Sequence, residues 1–297
     1  MRVFVTGASG WIGSAVTAEL LAEGHEVVGL ARSDASAAAI AEAGASTVRG
    51  GLDELDVLRT SADKSDAVIH LGFNHDFGDM AGAWRTERAA VQTFVDTLEG
   101  SERPLLLASG VAGLTPGRVA TERDASTQVG PESMRGGAEH LALSYADRGV
   151  RSVGLRFAPT VHGQGDHGFV AVLAGIARTT GVSGYVGDGA NRWPAVHRLD
   201  AARLVRLALE RAPAGSVVHA VGEEGVAARD IAEAIGQGLG VATAAIEEAQ
   251  AAEHFGWIGR FFALDTPASS TITRELLGWA PTRPGLLDDL AAGYYTS

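Results

Sequence analysis

The stretch Thr6-Gly7-Ala8-Ser9-Gly10-Trp11-Ile12-Gly13 constrains this chain more than any other. It follows the apolar run Val3-Phe4-Val5 and precedes Ser14 to Leu21, and Ile12, Val16 and Leu20 recur there at four-residue spacing. That order predicts a strand, a tight glycine turn and the start of a helix. Glycine lets the backbone turn sharply and approach a ligand closely, while free N–H groups and the positive dipole end of the helix attract phosphate oxygens. Gly7, Ser9, Gly10, Trp11, Ile12 and Gly13 are therefore the expected pyrophosphate cradle. The spacing, G-x-x-G-x-x-G, has one residue more in the turn than the common dinucleotide fingerprint.

Beyond this turn, strand and helix patterns alternate at the spacing of βαβ units. Strands are predicted at Val3–Thr6, Glu26–Leu30, Ser46–Arg49, Ala67–Leu71, Leu105–Ala108 and Ser152–Arg156, with helices at Trp11–Glu23, Ala35–Ala43, Trp84–Leu98 and Glu132–Asp147. Gly24 and Gly44 stand where C-cap glycines belong. Right-handed crossovers then give an α/β fold of the Rossmann type, a doubly wound parallel sheet with its ligand crevice beyond the carboxyl ends of the strands.

The second predicted strand ends in Leu30-Ala31-Arg32-Ser33, about 20 residues past the glycine turn, where a dinucleotide site reads the adenosine ribose. No carboxylate ends the strand to accept from a 2′-hydroxyl. Arg32 instead offers a fixed positive fork suited to a 2′-phosphate, with the Ser33 hydroxyl beside it. NADP, with NADPH preferred over NADH, is the expected cofactor, while Asp34 one step further keeps NAD open.

The segments Thr6–Gly13, Asp66–Gly72, Leu105–Ser109, Leu155–Gly163 and Val196–Ala202, in this order, resemble the extended, NAD-dependent epimerase/dehydratase-like branch of the short-chain dehydrogenase/reductase superfamily. The resemblance implies that Leu52 and Asp53 lie near the adenine, Leu71, Gly72 and Phe73 along the cofactor ribose, and Pro159, Val161 and His162 at the nicotinamide end. It also implies that Ser109 orients the substrate. A dimer through the exposed helices of the sheet is common in that family, which leaves a homodimer open here.

One part of the family pattern is missing. Active members carry Tyr-x-x-x-Lys on the helix after the fifth strand, whereas here the segment reads Pro131-Glu-Ser-Met-Arg-Gly-Gly-Ala-Glu139. Counted back from Glu139, the lysine position falls on Arg135 and the tyrosine position on Pro131; an alternative register places Met134 and Ala138 there. Neither supplies a phenol, and Tyr145 is followed four residues on by Gly149. Arginine stays protonated, so Arg135 is expected to anchor or polarise rather than to deliver a proton. Ser109 is a hydrogen-bond donor or relay by the same argument. His162 and His197 titrate in the useful range and are the candidate proton donors, with His167 a further imidazole nearby and Asp166 placed to orient one of them. The spacing of His162, Asp166 and His167 fits no standard zinc pattern, so no metal is expected.

The second half carries no further glycine turn of this type. Residues 190–222 are expected to return to the dinucleotide-binding domain at 1–165, as a strand and a helix capped by Asp200 with Leu204, Leu207 and Ala208 buried, then a strand at Ser216–Val221. Residues 166–189 and 223–297 are expected to form a smaller, interleaved substrate lobe, with a strand at Val182–Val186 and helices at Ala227–Leu239 and Ile246–Phe255 and ending at Leu276–Trp279. Trp257, Phe261 and Phe262 would line or lid its cavity or pack its core.

Composition narrows the partners. The net charge of −12 argues against nucleic acid, and the absence of cysteine excludes disulfides, thiolate catalysis and thiolate-held metal. No signal peptide is recognisable, and no apolar run reaches the roughly 18 residues of a membrane span, so a cytoplasmic protein acting on a small molecule is expected. Three readings remain: an atypical NADPH-dependent oxidoreductase of a small or medium carbonyl, imine or enone; a non-catalytic NADP sensor or scaffold; and an epimerase or dehydratase that uses its nucleotide as a hydride store.

Overall fold

The computed structural model describes residues 1–74 and 79–295; Thr296 and Ser297, the last two residues of the expected lobe, lie outside the described residues. In chain order the strands are β1 (Arg2–Thr6), β2 (Glu26–Ala31), β3 (Ser46–Arg49), β4 (Ala67–His70), β5 (Pro104–Gly110), β6 (Arg151–Phe157), β7 (Thr160–His162), β8 (Val182–Val186), β9 (Arg192–His197), β10 (Ser216–Ala220), β11 (Glu223–Ala227) and β12 (Ala242–Ile246). β10, β6, β5, β4, β1, β2 and β3 lie side by side in that order as a seven-stranded sheet, every neighbouring pair parallel. Val3–Val5, Val27–Leu30, Ala67–Ile69 and Leu105–Leu107 are buried, as strands covered on both faces must be.

The helices that cover the sheet are α1 (Trp11–Ala22), α2 (Asp34–Glu42), α3 (Leu55–Asp63), α4 (Met80–Leu98), α5 (Ala138–Leu143) and α7 (Arg198–Arg211), whereas α6 (Phe169–Thr180) packs on β8 in a separate core. Ile40, Val16, Leu20 and the buried face of α7 share one core with one side of the sheet. Leu58, Phe94, Val95 and Leu141, from α3, α4 and α5, share the core on the other. The chain runs outward from β1 to β3 and then returns to β4, so the strand order reverses between β1 and β4. That switch point opens the crevice in which doubly wound folds bind ligands.

β7, β9 and β11 form a second sheet, and β8 pairs with β12 in a third. α6 and the later helices α8 (Ala228–Leu239), α9 (Ala251–Phe255), α10 (Gly259–Phe262), α11 (Thr271–Leu277) and α12 (Leu286–Ala291) accompany them. Trp193, Phe255 and Phe262 centre a separate core there; Phe262 is fully buried against Trp193, and Trp257 is exposed.

Three expectations are corrected. The helix predicted over Glu132–Asp147 shrinks to α5, because Arg135, Gly136 and Gly137 take left-handed conformations with φ of 54°, 62° and 64°. Ile246–Phe255 is helical only over its last part; Ile246 ends β12, whose alternating small residues carry a weak signal of either kind. Asp200 does not cap α7. His197 does, accepting from the Leu199 N–H at 3.2 Å, while Asp200 accepts from the backbone N–H groups of Thr282 and Arg283.

Candidate active site

Gly7 has φ +70°, and a Cβ there would lie 2.7 Å from the Gly72 nitrogen, so the β1 and β4 ends meet backbone to backbone at the switch point. A Cβ on Gly13 would overlap the Gly7 carbonyl oxygen. Gly10 is the N-cap of α1, with no side chain bonded to the helix start and no acid in the first turn. Ser9 and Gly10, at the start of that helix, are exposed. This is a cradle that added side chains would fill, and it fits a dinucleotide pyrophosphate.

Trp11 and Ile12 have further tasks. The Trp11 indole N–H donates to the Val161 carbonyl at 2.7 Å, the Arg198 guanidinium lies 4.0 Å over the ring, and Arg198 donates to Ser14 Oγ at 2.9 Å. Ile12 packs on the core. The glycine turn is thus tied to β7, just past Pro159 at the bend where β6 ends.

At the end of β2, Arg32 is exposed and makes no hydrogen bond or ion pair among the described residues. Ser33 is occupied in a capping box: its Oγ accepts from the Ser36 N–H at 3.1 Å and its own N–H donates to Ser36 Oγ at 3.0 Å. Leu52 is half-buried in the turn after β3, with Asp53 exposed beside it. Beyond β4, the Leu71 N–H donates to the Thr6 carbonyl at 3.2 Å and the Gly72 N–H to Thr6 Oγ1 at 3.0 Å.

A buried chain of polar groups starts at this threonine. Thr6 Oγ1 lies 2.6 Å from His70 Nδ1, His70 Nε2 lies 3.2 Å from Glu87 Oε2, and Arg135 Nη2 donates to Glu87 Oε1 at 2.6 Å. His70 and Glu87 are fully enclosed, at 0% and 1% exposure. Burial alone would push the Glu87 carboxyl up, but Arg135 and His70 together outweigh it and bring the pKa down to about 2. The Arg135 guanidinium lies 4.6 Å over the Phe73 ring, and Arg88 donates to the Gly136 carbonyl at 2.8 Å, which clamps the left-handed segment against α4.

His70 and Glu87 escaped the sequence reading, yet a signal existed. On α4, Glu87 falls on the stripe of Ala83, Ala90, Val91 and Phe94, and a carboxylate on an apolar face needs a partner.

Ser109, half-buried near the end of β5, stands opposite Arg156 on β6. Arg156 and Glu139 form a buried bidentate pair at 2.6 and 2.9 Å, and Arg156 also donates to the Asp124 carbonyl. The two histidines lie together in the second sheet. His162 and His197 are cross-strand neighbours with rings 5.5 Å apart, and His162 Nδ1 lies 2.6 Å from Asp289 Oδ2 of α12. Burial foremost lowers the His197 pKa. Asp166 bonds the Gly168 N–H and the Tyr295 hydroxyl; Asp289 orients His162 instead.

The strand order and the glycine turn at its switch point define an extended short-chain dehydrogenase/reductase. More narrowly, a family model, the NAD dependent epimerase/dehydratase family, matches residues 3–222, and the chain belongs to that family. It is 47% identical to an uncharacterized protein of Saccharomyces cerevisiae over 99% of each chain. It is 44% identical to an uncharacterized protein of Schizosaccharomyces pombe, covering 99% of this chain and all of that one. The fold superposes on the dTDP-glucose 4,6-dehydratase DesIV of Streptomyces venezuelae, solved with NAD, with a TM-score of 0.78 at 22% identity, over 99% of this chain and 96% of that one. No helix among the described residues is long and apolar enough to cross a membrane.

Proposed function

We propose that the protein is an NADPH-dependent oxidoreductase that reduces a small or medium organic carbonyl, imine or enone without a catalytic tyrosine. The observation that carries this reading is the Glu87–Arg135 bond: a permanent cation is locked beside Phe73, just past the carboxyl end of β4, next to the strand that bears Ser109. A bound nicotinamide dinucleotide supplies the hydride. Gly7, Gly10 and Gly13 make room for its pyrophosphate, and Arg32 pairs with a 2′-phosphate.

The remaining N–H groups of Arg135, with the Ser109 hydroxyl, donate to the substrate oxygen and stabilise the negative charge that grows on it. Arginine does not release a proton, so protonation of that oxygen passes through Ser109 from solvent. His162 is enclosed and the His197 side chain is engaged in capping α7, and Ser109 takes that step in their place.

The test is NADPH oxidation by the purified chain across a panel of carbonyls, imines and enones. Turnover that Arg135→Ala removes while NADPH still binds supports the reading. A wild-type protein that binds NADPH and oxidises it with no member of the panel overturns it. Family membership supports a second reading equally, an epimerase or dehydratase that keeps its nucleotide as a transient hydride store; it would retain cofactor through purification and need no added reductant.

A further inference from the structure

We propose that Arg49 is a second guanidinium of the 2′-phosphate site, held ready by Asp34. The inference rests on the reading of Arg32 given above. β2 and β3 run side by side with Ala31 opposite Arg49, so Arg49 and Arg32, one residue beyond that pair, leave the sheet at the same corner. Val48 packs into the core beneath α3 and α4. Alternation along the strand therefore sends Arg49 to the opposite face, the face of α2. There Arg49 Nη2 lies 3.2 Å from Asp34 Oδ1, at the first residue of α2.

The adjacent ends of β2 and β3, with the start of α2, thus carry two arginines and one aspartate. Left alone, Asp34 would repel a phosphate and offer its oxygens to a ribose 2′-hydroxyl, which is the NAD preference. Paired with Arg49, one of its oxygens is engaged and its charge is partly offset. Both partners of that pair are exposed, and such a pair is weak. A guanidinium–phosphate contact is charge-assisted and fork-shaped, so a 2′-phosphate can draw Arg49 from Asp34 at little cost. Ser33, whose hydroxyl is already committed to the cap, gives less to the phosphate than Arg49 does.

Calorimetric titration of the full chain with NADPH and with NADH tests this, using Arg49→Ala, Asp34→Asn and Arg32→Ala. Loss of one charge-assisted contact predicts that Arg49→Ala weakens NADPH about tenfold while NADH binding stays within about twofold. Asp34→Asn is expected to tighten NADPH and leave NADH no tighter. If Arg49→Ala changes both dinucleotides alike, or neither, while Arg32→Ala weakens NADPH alone, the role of Arg49 is refuted and that of Arg32 stands. If Arg32→Ala also fails to separate the two dinucleotides, the cofactor reading falls and this inference falls with it.

Discussion

Arg135 Nη2 lies 2.6 Å from Glu87 Oε1, and this bond joins a residue in a left-handed conformation to a carboxylate with no access to solvent. A positive φ in a non-glycine residue costs energy, and it persists where surrounding contacts over-determine it. Here those contacts are the Glu87 carboxylate, the Phe73 ring and the Arg88 bond to the next carbonyl.

Stability should follow Glu87 through the acid range. Its folded pKa, about 2, is below the ordinary value of 4.5, so its contribution is fully present above 4.5 and is lost as pH falls towards 2. Linkage makes that contribution on the order of 3 kcal/mol. Urea unfolding of wild type and Glu87→Gln should differ by about that much at neutral pH, and the gap should close on acidification. A gap that does not change with pH would show that the carboxylate charge is not what holds Arg135.

Gly13→Ala should weaken NADPH and NADH together, by more than about tenfold, because its Cβ collides with the Gly7 carbonyl and the turn must open. Titration of the variant with both dinucleotides reads this directly. Unchanged affinity would remove the pyrophosphate from this turn.

Asp289→Asn should destabilise the fold by about 1–3 kcal/mol, since it strips the charged partner from a buried imidazole, and should leave NADPH affinity unchanged. Thermal unfolding and titration of the same sample separate the two. Intact stability with lost turnover would return His162 to the chemistry.

Arg156→Ala should cost about 3–5 kcal/mol by leaving Glu139 buried and unpaired, whereas Arg156→Met with Glu139→Leu should cost far less. Desolvation of the orphaned carboxylate, more than the lost attraction, sets that difference. Equal losses in the single and double variants would contradict it.

The parallel sheet and its glycine turn were legible because their causes are local: short apolar runs, C-cap glycines and a glycine-rich turn set between a strand and an amphipathic helix. The place of Arg32, directly after β2, was legible for the same reason. The buried polar chain around Glu87 and Arg135 was not. Helix propensity over 132–147 favours a continuous helix, but packing of Gly136 against α4 and the pull of Glu87 on Arg135, 48 residues apart, win locally. The Thr6–His70–Glu87–Arg135 chain draws on β1, β4, α4 and the loop before α5, and the His162–Asp289 bond spans 127 residues. The sequence by itself determined the parallel-sheet half, through nearest-neighbour backbone preferences. Only the tertiary structure decided which buried charges meet, because the cost of burying a charge is offset by whichever partner the fold brings within hydrogen-bond reach.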